Sequence, residues 1–566
     1  MKIKNYIRIC CLVIIFQNFI IGAASNPEYG QNGMVVSTSY QASQAGIEIL
    51  KKGGNAIDAA VAVGFALAVT SSGNGNIGGG GFLVAAFSDG TSISLDHREK
   101  APLNAHSKMF LNDSGSVIPG MSLFSRASSG VPGTVDGLIR ALEDHGSGKI
   151  SLREVLNPAI HLAERGFKLS YFEANRLNAY KDFFKRNKAA SKIFIRIDGK
   201  PWEKGQKLIQ KDLAKTLKRI ARYGRDGFYS GPVAQLIVEE MKRGNGLITK
   251  EDLINYESRY RDPVLGTYKG HDIISMGPPS SGGALLINML NMLENYPMDT
   301  LGFNSSNYIH LMTEVQRRAY ADRAEHIGDP DFWDVPISML TSKSYAKKRI
   351  KNIDLNKATL SNTISASKRE IYESTETTHY SVVDRWGNAV SVTTTINLNY
   401  GNGCVVDGAG FFLNNEMDDF SSKPGIPNAF GLIGNEANSV EPNKRPLSSM
   451  TPTIVLKDNK PFLVIGSPGG STIITTTLQT ILNVVDHGMD IKEAVCAPRF
   501  HSQWLPDVVQ YEPKSLIKDI KKALEKKGHK LVKRGGYIGE ANGIMILEQG
   551  YFGGGDCRGE TSAIGY

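Results

Sequence analysis

At 566 residues, with 41% hydrophobic and 21% charged side chains, the chain has ample material for a full hydrophobic core and the balance of an ordinary globular protein. Its formal charge of +9 falls to +6 once residues 1–24 are set aside, since they carry Lys2, Lys4 and Arg8 and no acid. The remaining basic residues are spread widely. The modest runs at 183–200 and 521–534 lack the interleaved aromatics of a stacking platform, so nucleic acid is excluded as a partner.

Residues 1–24 read as a signal peptide: a basic start, an apolar run from Ile9 to Ile21 broken by Gln17 and Asn18, and the small residues Gly22, Ala23 and Ala24. No later apolar run is long enough to span a bilayer. The mature protein is therefore expected in the periplasm or outside the cell. Of five cysteines, maturation leaves Cys404, Cys496 and Cys557, an odd, sparse set that argues against a disulfide framework. The eleven histidines show no H-x-x-x-H or H-E-x-x-H spacing, so no metal site is expected.

After the leader, GIEILKKGGNAIDAAVAVGFALAVT (46–70) predicts two helices joined at Gly53-Gly54. NIGGGGFLVAAF (76–87) predicts a tight glycine passage into a buried strand, with SISLDHRE (92–99) as its hairpin partner. Residues 151–350 are mostly helical in pattern, with amphipathic runs at 151–167 and 307–326. Residues 356–376 are polar and aperiodic, as in an exposed linker. Beyond 377 the pattern turns to strands (HYSVV, AVSVTTT, TIVLK, FLVIGS, GIMILEQ), with helical pieces at 475–488 and 513–528. Helices largely before a linker and strands largely after it predict a layered α+β fold whose core is shared by both halves. There is no internal repeat.

The stretch ESTETTHYSVVDRWGNAVSVTTT (373–395) has more hydroxyls than a buried strand usually carries and too much alternation for a loop. Asp384 to Asn388 form a turn cluster between two alternating runs, which predicts a hairpin. A turn centred on Trp386 sets Val383 opposite Ala389 and Thr377 opposite Thr395, at the open end of the hairpin. A threonine hydroxyl needs an adjacent base to act as a nucleophile. Its own α-amino group, with a pKa of about 8, is one such base, provided the preceding peptide bond has been cut. Thr377 suits that chemistry, its hydroxyl attacking the Glu376 carbonyl to give an ester that water hydrolyses. A plain threonine-rich strand with cross-strand hydroxyl pairs fits the same residues.

In FLVIGSPGGSTIITTTLQ (462–479) a strand turns through Gly469-Gly470 into a helix start. Consecutive backbone N–H groups there form a seat for an oxyanion. Capping of the helix by Ser467 or Ser471 is the alternative.

Motifs along nearly the whole mature chain resemble the γ-glutamyltransferases (γ-glutamyl transpeptidases, glutathione hydrolases) among the N-terminal-nucleophile hydrolases. They include GGNAIDAAVA (53–62), GNIGGGGF (75–82), LDHREKAP (95–102), AYADRAEHIGDPDF (319–332), TTHYSVVD (377–384), LNNEMDDFS (413–421), NKRPLSSMTPTIV (443–455), GSPGGS (466–471) and DCRGETSAIGY (556–566). The resemblance implies a four-layer αββα sandwich. It also implies a proenzyme that cuts itself between Glu376 and Thr377 into a large subunit, 25–376, and a small subunit, 377–566, which stay associated as a heterodimer.

By the same resemblance Thr377 is the nucleophile, Thr395 the threonine that hydrogen-bonds it, and Gly469 and Gly470 the oxyanion seat. Arg98, Ser448 and Ser449 bind the α-carboxylate of a γ-glutamyl group. Asp419 takes its α-ammonium, with Glu416 and Asn397 beside it. A γ-glutamyl group ends in an α-carboxylate and an α-ammonium, so its site is expected to hold a cation and an anion apart. Substrates are then glutathione and other γ-glutamyl compounds, with water, an amino acid or a dipeptide as acceptor and no metal or organic cofactor. A relative acting on another amide, of the glutaryl-cephalosporin or poly-γ-glutamate type, is the alternative. The sequence departs from the family pattern in three places. Glu376 puts a carboxylate before the scissile bond, Phe430 in SSKPGIPNAFGLIG (421–434) stands in a lid-like loop where tyrosine is frequent, and Cys557 stands where proline is usual.

Overall fold

The computed structural model describes residues 26–364 and 377–566. The segment expected to be a signal peptide, most of the expected linker and Glu376 therefore lie outside the described residues. Two seven-stranded sheets face one another. One runs in the order Glu28–Gly30, Gly550–Gly555, Asn542–Leu547, Lys460–Gly466, Thr453–Lys457, His271–Ser275, Val264–Tyr268. The other runs Ser562–Gly565, Met34–Ser37, Thr378–Val383, Ala389–Thr395, Gly80–Ala86, Ser92–Asp96, Arg259–Arg261. All pairings within them are antiparallel. Strands from either side of residues 365–376 are mixed in both sheets, so the halves share one core as expected.

Side-chain alternation creates the layers. Val36, Phe82, Val84, Ile274, Ile454, Val464 and Ile544 interdigitate between the sheets. Their neighbours one residue away turn outward: Val35, Leu83 and Ala85 meet one helical layer, while Ile273, Val455, Leu463 and Met545 meet the other. The result is the αββα sandwich. Helix Ala56–Thr70 is buried along its whole length and starts at a capping box between Asn55 and Asp58. The Ala56 N–H also donates to Asp384 in the hairpin turn, at 2.9 Å. That turn thus anchors a core helix as well as reversing the chain.

Helix Ser306–His326 departs from its expected amphipathic character, with Arg317, Arg318 and Arg323 all buried. Buried partners make this tolerable: Glu314 pairs with both Arg317 and Arg318. The reading of the cysteines needs correction. Cys496 and Cys557 form a disulfide across 61 residues, while Cys404 is a buried free thiol. The odd count hid it because one buried thiol leaves an even pair, and no spacing rule reaches so far. Cys557 is therefore a staple and not merely an altered turn. No helix among the described residues is long and apolar enough to cross a membrane.

Candidate active site

The hairpin forms as the sequence predicts. Val383 pairs with Ala389 and Thr378 with Thr394, the register that points Thr377 toward Thr395. Both strands are buried throughout, against the expectation from their hydroxyl content. Ser391 and Ser381 face the other sheet and are satisfied there, donating to the Ile465 and Asn542 carbonyls, each at 3.1 Å, while Thr394 donates to the Gly80 carbonyl in its own sheet at 2.7 Å. His379 lies between the Thr393 and Ser381 hydroxyls. Burial holds its imidazole down to a pKa of about 3.

The GGGG passage is required by close packing. A Cβ on Gly79 would lie 2.1 Å from the Thr395 carbonyl oxygen, and one on Gly80 would lie 2.6 Å from the Glu99 carboxylate. Asn76 reinforces the approach, donating to the Thr395 carbonyl at 2.9 Å. The Thr395 hydroxyl accepts the Asn397 N–H at 2.8 Å, with Asn397 itself in the left-handed region at φ 71°. The Asn397 side chain donates to the Asn415 carbonyl at 2.9 Å. Its own carbonyl oxygen is buried without a hydrogen-bond partner.

Thr377, Thr395, Arg98, Asn397, Glu416, Asp419, Ser448, Ser449 and Gly470 line a single small cavity of about 20 Å³. Of the expected catalytic and substrate-binding residues, Gly469 alone is not part of its wall. It occupies the adjoining corner at φ 138°, and Gly470 follows at φ 54°, both in the region that favours glycine. Neither serine caps the following helix through its side chain: Ser467 donates to the Pro468 carbonyl and accepts the Glu540 N–H, and the helix Ile473–Val485 has no side-chain cap. The Phe430 ring rests on Gly470, where an added Cβ would meet it at 2.5 Å. Phe430 belongs to the loop 421–434, which is docked by Asn428 on Asp419 and by the Ala429 N–H on Asp418.

Arg98 and Asp419 are not held apart but pair directly. The buried Arg98 guanidinium contacts Glu416 and, at 2.5 Å, Asp419, with Glu99 3.4 Å away. The Tyr256 hydroxyl fixes the Arg98 carbonyl, and Asp96 accepts the Arg98 N–H. Arg98, Glu416 and Asp418 are all buried. Three carboxylates share little solvent, so burial raises all three. Glu99 is pushed up to about 7, Glu416 well above its usual range and Asp419 upward, while Arg98 opposes each shift. Asp418, held by the Ser122 hydroxyl at 2.6 Å, is raised to about 6 by burial.

Arg323 was missed as a site residue although AYADRAEH was noticed. Its guanidinium faces the same cavity, donating to the Ser281 hydroxyl at 3.0 Å and reaching Ser449 at 3.4 Å. Burial lowers it to about 10. Glu99, next to Arg98 in LDHRE, was also missed. A helical Arg with no acid at i±4 gives no local signal, and adjacent charges read as surface.

Among the described residues, one group has metal-ligand proximity: His310, Glu314 and His529, with ligand atoms within 4.8 Å of one another. Sequence spacing could not find it, since His529 lies far along the chain. Most of its ligand atoms already have partners, the His529 Nδ1 being the exception. The two imidazoles hydrogen-bond each other at 2.7 Å, and Glu314 is held by Arg317, Arg318 and Thr359.

Comparison with known proteins places nearly the whole chain among relatives of one kind. The chain is 48% identical over 525 residues to the glutathione hydrolase proenzyme of Escherichia coli (strain K12), covering 93% of this chain and 90% of the relative. It is 36% identical over 537 residues to the acylase ACY 1 proenzyme of Pseudomonas sp. (strain SE83), covering 94% and 93%. Among solved structures, a cephalosporin acylase from Bacillus halodurans superposes with a TM-score of 0.84 at 26% identity, covering 97% of this chain and 98% of that one. The Helicobacter pylori γ-glutamyltranspeptidase superposes at 0.58 with 43% identity, over 62% of this chain and 99% of that one. The family model described as gamma-glutamyltranspeptidase matches residues 42–566, and the chain belongs to the γ-glutamyltranspeptidase family.

Proposed function

We propose that this chain is an autoprocessed γ-glutamyltransferase in which Thr377 carries the γ-glutamyl group as an ester. The observation that carries this reading is the convergence of Thr377, Thr395, Gly470 and the Arg98–Asp419 pair on one buried cavity. In the precursor, the Thr377 hydroxyl attacks the Glu376 carbonyl, and the acyl group moves from nitrogen to oxygen. Hydrolysis of that ester frees the Thr377 α-amine, a base whose unperturbed pKa of about 8 suits neutral chemistry. The resulting subunits, 25–376 and 377–566, stay joined because their strands are mixed in both sheets.

A γ-glutamyl head is a zwitterion. It enters by exchange: its α-carboxylate takes Arg98, Ser448 and Ser449, and its α-ammonium takes Asp419 with Glu416 and Asn397. Charge in the cavity is conserved, which lets a buried ion pair open without stranding either partner. Phe430 lines the same cavity and rests on Gly470, so it supplies the apolar cover of the bound head. The Thr377 hydroxyl then attacks the γ-carbonyl of glutathione or a related amide. Gly469 and Gly470 N–H groups receive the oxyanion, a contribution of roughly 3–4 kcal/mol per donor in comparable sites. The Thr377 amine passes its proton to the leaving amine. Water or an amino acid or dipeptide resolves the ester. No step requires a metal or organic cofactor.

The acylase relatives favour a second reading, cleavage of a glutaryl amide. A glutaryl group has no α-ammonium and would leave Asp419 without its cation, so the γ-glutamyl head is the better fit. The signal-like leader and the disulfide Cys496–Cys557 support a periplasmic or secreted location, where disulfides persist. The test is paired turnover of γ-glutamyl and glutaryl p-nitroanilides by purified protein. A γ-glutamyl preference of at least tenfold is expected, and a glutaryl preference would replace the proposal by its alternative.

A further inference from the structure

A second cavity, about 250 Å³, opens on the other side of Thr377 and is separate from the one that holds Arg98 and Asp419. Arg176, Glu540, Asn74, Asn399 and Tyr537 contribute to its wall. It is slightly smaller than the ligand pockets of about 300–1,000 Å³ that hold drug-sized molecules, so it suits an amino acid or a dipeptide. We infer that this cavity is the acceptor site, with Arg176 holding the acceptor's α-carboxylate and Glu540 receiving the proton of its α-ammonium. This rests on the γ-glutamyltransferase reading and adds to it the location and chemistry of the second substrate.

Two side chains distinguish the cavity from an ordinary crevice. Arg176, on helix Tyr171–Ala179, pairs only loosely with Glu173, at 3.5 Å, and offers its fork to the cavity. Arg558, also in the wall, is by contrast fully engaged by Glu512, Asp556 and the Val495 and Ala497 carbonyls. It stiffens the wall and offers nothing to a ligand.

Glu540 sits just before strand Asn542–Leu547, and among the described residues it is its backbone that is tied down, by Ser467 and Asn542. Its carboxylate lies against the bare Cα of Gly559, where an added Cβ would fall 2.3 Å away. Burial and its carboxylate neighbours Asp556, Glu560 and Glu173 push Glu540 up to about 8, while Arg176 is the cation that pulls it down. A carboxyl tuned there is matched to an α-amine of about 8 and exchanges a proton with it near neutral pH.

The step balances as follows. The α-ammonium gives one proton to the Glu540 carboxylate, and the freed amine attacks the γ-carbonyl carbon of the Thr377 ester. A C–N bond forms and the C–O bond to Thr377 breaks. The departing oxygen takes a second proton from the attacking nitrogen by way of the Thr377 α-amine, leaving one on the new amide. Water needs neither the carboxylate clamp nor Glu540, so hydrolysis and transfer are expected to respond differently.

The experiment uses γ-glutamyl-p-nitroanilide as donor and compares glycylglycine with glycylglycinamide as acceptor. Arg176→Met is expected to raise the KM for glycylglycine at least tenfold while moving that for the amide less than threefold. Glu540→Gln is expected to lower the transfer-to-hydrolysis ratio at least tenfold, with Glu540→Asp recovering part of it. The inference is overturned if both variants lose hydrolysis and transfer in equal proportion, or if Arg176→Met keeps the wild-type preference for a free carboxylate. A wild-type protein that hydrolyses the donor but transfers to no acceptor overturns it while sparing the γ-glutamyl reading. A wild-type protein that cleaves no γ-glutamyl donor overturns both.

Discussion

Replacing Arg98 by Met removes the cation that, among the described residues, touches Glu416, Asp419 and Glu99 together. Breaking a buried ion pair from one side costs about 3–5 kcal/mol, and here three carboxylates lose the same partner. They recover part of this by taking up protons, since all three are already raised by burial. The variant is therefore expected to unfold at a lower temperature, with the deficit larger at pH 9 than at pH 6. On the substrate side, a hydrogen bond to a charged group is worth about 1.5–3 kcal/mol, or roughly 10- to 150-fold in kcat/KM.

The assay compares γ-glutamyl-p-nitroanilide with its analogue lacking the α-carboxylate, 4-aminobutyryl-p-nitroanilide. Wild-type protein is expected to favour the first by at least tenfold, and Arg98→Met to show nearly no preference. Arg98→Lys keeps the charge but loses the fork, so it should fold well and retain part of the discrimination. If Arg98→Met turns over and still favours the carboxylate-bearing donor tenfold, Arg98 does not read the carboxylate, and the reasoning fails.

Three further outcomes follow from other parts of the molecule. Thr395→Val keeps the side-chain shape but deprives the Asn397 N–H of its acceptor, at a cost of about 1–3 kcal/mol; turnover should fall ten- to a hundredfold, and unchanged turnover would detach Thr395 from the chemistry. Replacing both Cys496 and Cys557 by Ser should cost about 4 kcal/mol for a loop of this length, read as a lower urea midpoint, and the same shift should appear in reduced wild-type protein. His379, His501 and His529 are each held down to about 3 by burial, against 6.5 unfolded. Below pH 6.5 the unfolded chain binds the extra protons, so stability is full above 6.5 and drops toward pH 3 by about 1.4 kcal/mol per pH unit for each histidine. Denaturation at stepped pH checks this, and His379→Gln should make the slope shallower.

What the sequence revealed and what it hid divide along physical lines. The hairpin and its register were legible because turn residues and strand alternation are local signals, and Thr377 and Thr395 follow from them. Arg98, Asp419 and Ser448 were legible only through resemblance; spacing alone assigns such charged groups to the surface. Arg323, Glu99, Glu540 and the His310–His529 contact were not seen, because their partners are brought in by tertiary packing from remote segments. The burial of the hydroxyl-rich hairpin was misjudged for a similar reason. Its acceptors, such as the Ile465 and Asn542 carbonyls, belong to the opposite sheet, which no local pattern announces.

The most direct test is the intact mass of fully active protein under denaturing conditions, before and after reaction with a slow γ-glutamyl donor. Two chains are expected, the smaller starting at residue 377 and gaining one γ-glutamyl adduct at that residue. A single unbroken chain with full turnover, or an adduct on any other side chain, would contradict the role given to Thr377.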